Sequence, residues 1–269
     1  MDVRSLGFRT DLALLELAGS EIEDRGDHVV VRTRANPDFY WGNFVLLARP
    51  PHPDAVQDLI EEYDATFPDS HHRAFGVDGT EDQRAAVAPL VAAGLELDLG
   101  TVMTASTVHE PPRPNREATY RRLSSDDDWA QRVDLAAACN DDHEPGGYLV
   151  FATRKAASER ARAEAGHGAW WGAFLEGRMV SGMGLYAASP GLARFQSVET
   201  HPDFRGRGLA GSLVHAVSRF GFDELASRTL VMVADPDYLA IRVYRSVGFT
   251  DSEEQTQLAQ RQRTAPPTP

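Results

Sequence analysis

The sequence predicts a mixed α/β chain, and three observations carry that prediction. Strand-like apolar runs alternate with helical stripes through residues 118–260. A glycine-rich turn, Arg205 to Ala210, joins one such strand directly to an amphipathic helix. A fainter version of the last strand–helix unit recurs from residue 74 onward.

Taken in order, Ala118 to Leu123 reads as a short strand. Ser124 followed by Asp127 supplies an N-cap and capping box for a helix through about Cys139. Tyr148 to Ala165, rich in Ala, Arg and Glu, reads as a second helix. Two strand-like runs from Ala169 to Tyr186 meet at Glu176-Gly177-Arg178, a hairpin. Ala193 to Thr200 is the next strand and runs into the glycine turn. Leu209, Leu213, Val217 and Phe220 then form one apolar helix stripe. Thr229 to Val233 is a strand, Tyr238 to Val247 a helix stopped by Gly248, and Gln255 to Ala259 a last short strand.

The segment Thr104 to Arg116, with three prolines and no period, reads as a linker. The expected organisation is an N-terminal domain at 1–105, a linker at 106–117, a C-terminal domain at 118–260 and a disordered tail at 261–269. Residues 74–98 repeat the layout of 230–252: apolar strand, acidic turn, helix, then glycine and an apolar residue. Anchoring Gly94 on Gly248 sets Leu90 opposite Tyr244. Two related domains and two coincidentally similar strand–helix units both fit this match.

Composition bounds the function. With 42 % hydrophobic and 25 % charged residues there is ample material for a core. No run approaches the ~20 apolar residues of a membrane helix, and the first residues do not resemble a signal peptide. A single cysteine, Cys139, excludes an internal disulfide framework and fits a cytoplasmic location. Lys155 is the only lysine among 27 basic residues, a skew read as genome composition rather than function. The formal charge of −13 argues against nucleic acid as a partner. Residues 1–118 carry 10 Arg against 21 Asp/Glu, whereas residues 119–269 carry 17 Lys/Arg against 19 Asp/Glu. The C-terminal half is therefore the one suited to a polyanion.

The junction at Arg205-Gly206-Arg207-Gly208-Leu209-Ala210 has the physical means to bind phosphate. Its glycines admit positive φ, and the following helix offers unpaired N–H groups at its positive end. Alone, such a loop is also compatible with a structural turn bearing exposed arginines. It lacks the Gly-Lys-Ser/Thr of a nucleotide triphosphatase and the spacing of a dinucleotide fingerprint.

This loop resembles the pyrophosphate loop of the GNAT superfamily of N-acetyltransferases, Gln/Arg-x-x-Gly-x-Gly/Ala. About 30 residues on, Asp237 to Phe249 resembles the superfamily's second signature, Asn-x-x-Ala-x-x-x-Tyr-x-x-x-Gly-Phe. The resemblance implies a GNAT-like acyl-CoA N-acyltransferase fold with a mixed, mostly antiparallel central sheet, and a related degenerate N-terminal domain. It implies an acetyl-CoA-dependent N-acetyltransferase acting by direct attack of a primary amine in a ternary complex, without a metal.

By the same resemblance, Val198 and Thr200 hold the pantetheine, and Arg205, Gly206, Arg207, Gly208, Leu209 and Ala210 hold the pyrophosphate. A strand N–H polarises the thioester carbonyl, and Tyr244 serves as general acid to the leaving thiolate. A tyrosine near pKa 10 protonating a thiolate whose acid is near 8.5 is uphill by about 2 kcal/mol, so hydrogen bonding is the larger part of that role. Tyr244 as a core aromatic is the competing reading. Asp237 stands where the superfamily has asparagine, and its charge opposes a nearby phosphate. Glu199 is the first candidate for general base and Asp235 the second; an ordinary polar strand residue would look the same as Glu199.

Other clusters carry less. Cys139, Asp141, Asp142 and His143 match no zinc spacing. His71 and His72 point to opposite faces of a strand. Trp170 and Trp171 read as packing, and Phe39-Tyr40-Trp41 as either a buried edge or the lining of a substrate pocket. The N-terminal domain lacks both the glycine loop and the tyrosine, so one active site per chain is expected. The expected partner is an amine acceptor, a small molecule, with no nucleic acid or membrane, on a monomer or homodimer. The alternatives are a non-catalytic acetyl-CoA sensor and a transferase of another acyl-CoA.

Overall fold

The structure is a computed structural model that describes residues 1–140 and 145–260. The expected tail at 261–269 and the cluster members Asp141, Asp142 and His143 lie outside the described residues. Two compact units form: Met1–Thr101 with the described residues from Glu253 onward, and Val102–Ser252.

The first unit opens with α1 (Leu6–Leu17), whose N-cap Ser5 accepts from the Phe8 N–H. Strands β1 (Glu21–Asp24), β2 (His28–Arg32) and β3 (Phe44–Leu47) form an antiparallel meander. Helix α2 (Val56–Thr66) crosses to β4 (Arg73–Val77), which lies parallel to β3. Helix α3 (Ala88–Ala92) leads into β5 (Glu96–Ala105), whose last residues belong to the second unit. Period-two alternation gives this sheet two apolar faces. Val45, Leu47, Phe75 and Val77 pack with Tyr63 of α2 and Leu90 of α3, while Phe44, Leu46 and Ala74 pack with Phe8 of α1.

The second unit continues with β6 (Thr119–Arg122), α4 (Asp126–Ala138), α5 (Pro145–Glu164), β7 (Gly168–Leu175), β8 (Arg178–Ser189) and β9 (Leu192–Thr200). It closes with α6 (Leu209–Asp223), β10 (Thr229–Ala234), α7 (Ala240–Arg245) and the start of β11 (Thr250–Gln260). Strands β6 to β9 pair antiparallel in sequence order, and β9 pairs parallel with β10. This is the mixed, mostly antiparallel sheet expected. Helices α4 and α5 pack on β7, β8 and β9, and α6 packs on the same strands. The Tyr186 hydroxyl donates to the Glu159 carbonyl of α5, whereas its strand neighbour Leu185 abuts Gly221 of α6, so α5 and α6 cover opposite faces.

Three local expectations shift. The N-cap of α4 is Ser125 and its box partner is Asp128, one residue later than the pair read from the sequence. The reason is that the buried Asp128 carboxylate also accepts from the Ser124 N–H and pairs with Arg121. Helix α7 is shorter than Tyr238–Val247, because Asp235 Oδ1 accepts from the Asp237 N–H and holds a turn ahead of it. Strand β11 is far longer than Gln255–Ala259: its second half pairs antiparallel with β4 from Thr256↔Val77 to Gln260↔Arg73, and its added first half neighbours β5, where Ser252 Oγ donates to the Val102 carbonyl.

The repeat read from the sequence has a counterpart in the two units. After α3 the Leu95 N–H donates to the Leu90 carbonyl, and after α7 the Phe249 N–H donates to the Tyr244 carbonyl. The glycines between, Gly94 and Gly248, both have positive φ, at 93° and 117°. Leu90 thus holds in the first unit the place Tyr244 holds in the second.

Candidate functional site

The site begins where the parallel pair stops pairing. The β9–β10 register runs from Leu192↔Thr229 only as far as Arg194↔Val231. Beyond that point the strands part around a cleft of about 200 Å³, lined by Phe195, Ser197, Val198, Met232, Asp235, Tyr244 and their neighbours.

A bulge on β9 shapes one wall. Its register with β8 passes from Gln196↔Gly184 to Glu199↔Gly182, so two residues of β9 stand against one of β8. Ser197 takes the extra place with φ of 44°. The added residue lets Phe195 and Val198 both join the core closed by α6 and α7. Ser197 and Glu199 face the other way, toward α4 and α5, where Lys155 Nζ donates to Ser197 Oγ at 2.9 Å and Arg132 Nη1 lies 3.0 Å from Glu199 Oε2.

The arginine–glycine loop joins the end of β9 to α6. The Thr200 carbonyl accepts from Arg205 Nε at 3.2 Å, and the Thr200 hydroxyl meets that of Ser181 at 2.8 Å. Gly206 and Gly208 have φ of 76° and 75°, so the chain turns sharply into α6. Gly208 caps α6 without any side-chain hydrogen bond, leaving the first-turn N–H groups of Leu209 and Ala210 without a capping side chain. An anion fits such an end. Arg207 is exposed, paired with Glu117 and set 5.6 Å from the Phe204 ring.

The segment read as a linker has a structural task here. Asn115 Nδ2 donates to the Arg207 carbonyl, and the Asn115 N–H donates to Ser212 Oγ. A Cβ on Gly208 would run into the Arg113 carbonyl oxygen. Residues 113–115 therefore strap the start of α6, a role that proline content alone does not reveal.

Tyr244 lines the cleft and is 5 % exposed; burial pushes its hydroxyl pKa above the ordinary tyrosine range. Behind β9 lies a buried charge cluster. Arg132 is 2 % exposed, stacks 4.0 Å from the Trp170 ring and pairs with both Glu199 and the fully buried Glu159. Burial raises the Glu199 pKa, and Arg132 and Lys155 oppose that shift. Burial lowers the Lys155 pKa. Sequence reasoning singled out only Glu199 of this cluster as a site residue, because its members come from α4, α5 and β9, far apart in the chain.

The remaining sequence candidates fall elsewhere. Asp235 lines the cleft but spends one oxygen on the Asp237 N–H, and Asp237 makes no cap. Burial pushes the Cys139 thiol up to about 11, which keeps it protonated. His72 is buried, hydrogen-bonded to Ser70 and the Asn43 carbonyl, and stacked on Tyr40 at 4.0 Å. Trp170 is core, and Trp171 meets Phe220 at 5.7 Å. Among the described residues no group of three or more His, Cys, Asp or Glu is placed to hold a metal, and no helix is long and apolar enough to cross a membrane.

The site is thus a splayed parallel pair that leads to an uncapped helix start, with a tyrosine lining the opening. Residues 127–249 match the model of the Acetyltransferase (GNAT) family, and the chain carries a GNAT domain there. A conserved protein of unknown function from Staphylococcus epidermidis ATCC 12228 superposes with a TM-score of 0.72 at 12 % identity, over 90 % of this chain and 93 % of that one. A GCN5-related N-acetyltransferase from Kribbella flavida gives 0.63 at 16 % identity, over 95 % and 96 %. A tandem GNAT protein from the clavulanic acid biosynthesis pathway gives 0.57 at 13 % identity, over 93 % and 87 %. These likenesses concern the fold, and they extend through the N-terminal unit as well as the GNAT domain. A sequence search of curated proteins returns no match.

Proposed function

We propose that the chain is an acetyl-CoA-dependent N-acetyltransferase acting on a primary amine by direct attack in a ternary complex. The observation that carries this reading is the end of β9–β10 pairing at Arg194 and Val231, which opens a cleft lined by Val198 and Tyr244, while β9 itself continues toward the uncapped start of α6.

In this reading the main chain of Val198 and Thr200 replaces the missing sheet partner with hydrogen bonds to pantetheine. The N–H groups at Gly206 to Ala210 hold the pyrophosphate, with Arg205 and Arg207 adding charge-assisted donors. The register skips Ser197 and Val198, so the bulge leaves a strand N–H for the thioester carbonyl, where it stabilises the developing oxyanion. Glu199 takes the proton of the attacking amine, directly or through one water. Its raised pKa makes it a stronger base than an exposed carboxylate, and Arg132 keeps it oriented. The Tyr244 hydroxyl, held protonated by burial, donates a hydrogen bond to the departing thiolate.

The acceptor is a small-molecule amine in this reading, and the protein works in the cytoplasm without a metal. Calorimetric titration with acetyl-CoA, followed by thiol-release assays with a panel of amines, tests it. Micromolar binding and amine-dependent thiol release are expected. Absence of binding, or release that ignores the amine, would overturn it.

A further inference from the structure

Lys155 is the one lysine in a chain that uses arginine at every other basic position. We infer that Lys155 is itself an acetyl acceptor, a self-acetylation site whose Nζ meets the cleft at Ser197. The inference rests on the use of acetyl-CoA proposed above.

Position comes first. Lys155 Nζ donates to Ser197 Oγ at 2.9 Å, and Ser197 lines the cleft next to Val198. The bulge turns Ser197 toward α5 while its backbone stays in the strand that receives the thioester. The amine of α5 and the reacting carbonyl thus approach the same residue from the two sides of β9.

Chemistry comes second. A guanidinium stays protonated in proteins and cannot attack a thioester, whereas an amine can once it loses its proton. Among the described residues, the charged groups that act on Lys155 are Glu159 and Arg162 of α5, Arg132 of α4 and Glu199 of β9. Burial lowers its pKa, Arg132 and Arg162 act in the same direction, and the two glutamates oppose them. The side chain that hydrogen-bonds the cleft-lining Ser197 is the only one in the chain to carry a transferable amine. Genome composition explains the arginines, but it does not explain why the single exception stands here.

The step balances without an added reactant. The neutral Nζ attacks the thioester carbonyl carbon, a C–N bond forms and the C–S bond breaks. The proton shed by nitrogen ends on the thiolate, leaving free CoA thiol and an uncharged Nε-acetyl-lysine.

The test uses the full chain with acetyl-CoA and no other amine. Intact mass and a tryptic digest are read over time. The expected result is one acetyl group on the peptide Lys155–Arg160, which trypsin would otherwise cut after Lys155. K155R and K155Q should take no label there, and Y244F should label about 10²-fold more slowly. Labelling at equal rates in wild type, Y244F and heat-unfolded chain would overturn the inference as uncatalysed chemistry. A wild-type preparation that releases thiol with an external amine while Lys155 stays unmodified would also overturn it, and would leave the transferase reading intact. A chain that neither binds acetyl-CoA nor takes label defeats both.

Discussion

Arg132 Nη1 sits 3.0 Å from Glu199 Oε2, while its Nε sits 3.4 Å from Glu159 Oε2. One buried guanidinium thus faces a carboxylate beside the cleft and another that is wholly enclosed. The Glu159 contact lacks hydrogen-bond geometry, so charge rather than hydrogen bonding couples Arg132 to that carboxylate. Removing one partner of a buried pair costs about 3–5 kcal/mol, because the other is left uncompensated. Arg132→Met should therefore lower the urea midpoint sharply, and adding Glu159→Gln should recover part of the loss. A single variant as stable as wild type would show that the cluster does not depend on this pair.

Glu199 gives a pH signature. It must be ionised to accept a proton, and burial has raised its pKa above the ordinary carboxylate range. Activity should be full above that pKa and fall as pH drops through it. The acid limb of kcat/KM should therefore lie above the usual ~4.3 of glutamate. Glu199→Gln should reduce kcat/KM by about 10²-fold or more and abolish that limb. An unchanged limb in the variant would assign it to another group.

Tyr244 separates chemistry from binding. Its ring lines the cleft, and burial raises the hydroxyl pKa and so keeps it protonated over the working range. Tyr244→Phe removes a hydrogen bond to the leaving thiolate and leaves the ring packing in place. A fall in kcat of about 10²-fold is expected, with KM for acetyl-CoA nearly unchanged. Steady-state kinetics at saturating amine decide this, and an unchanged kcat would return Tyr244 to the core.

Much of the second unit was legible because its signals are local. The hairpin at Glu176-Gly177, the stripe Leu209, Leu213, Val217 and Phe220, and the stop at Gly248 each lie within one or two turns of chain. What stayed hidden is long-range. Nothing in the residues around Ser197 announces a bulge with positive φ. The strap of residues 113–115 over α6 shows only when Arg207 and Ser212 are brought to Asn115, about 95 positions away. Arg132 and Glu159 look like surface helix residues in sequence, since their helices carry charge on most faces. The lone lysine was visible, but its meaning needed Ser197 beside it.

The two loop glycines should behave differently. Both have positive φ, which costs an alanine about 1–2 kcal/mol. A Cβ on Gly206 meets nothing within 4 Å, whereas one on Gly208 runs into the Arg113 carbonyl. Gly206→Ala should lose roughly the conformational cost alone, and Gly208→Ala about 1–3 kcal/mol more from overpacking. Urea unfolding of the two variants checks the order. Equal losses would mean that the strap moves aside freely.

Leu90 predicts the stoichiometry. It takes the place of Tyr244 through the same carbonyl bond, Leu95 N–H to Leu90 as Phe249 N–H to Tyr244. In that unit β3 is followed by Ala48-Arg49-Pro50-Pro51 rather than by a glycine turn. The parallel pair β3–β4 also stays in register from Val45↔Phe75 to Leu47↔Val77, so no splay parallels that of β9 and β10. Among the described residues, hydroxyl, phosphate turn and splay are thus all missing from the first unit. Calorimetry should give one acetyl-CoA per chain, and Tyr244→Phe should leave that number at one. Two molecules bound per chain would show that the first unit holds the cosubstrate by other means.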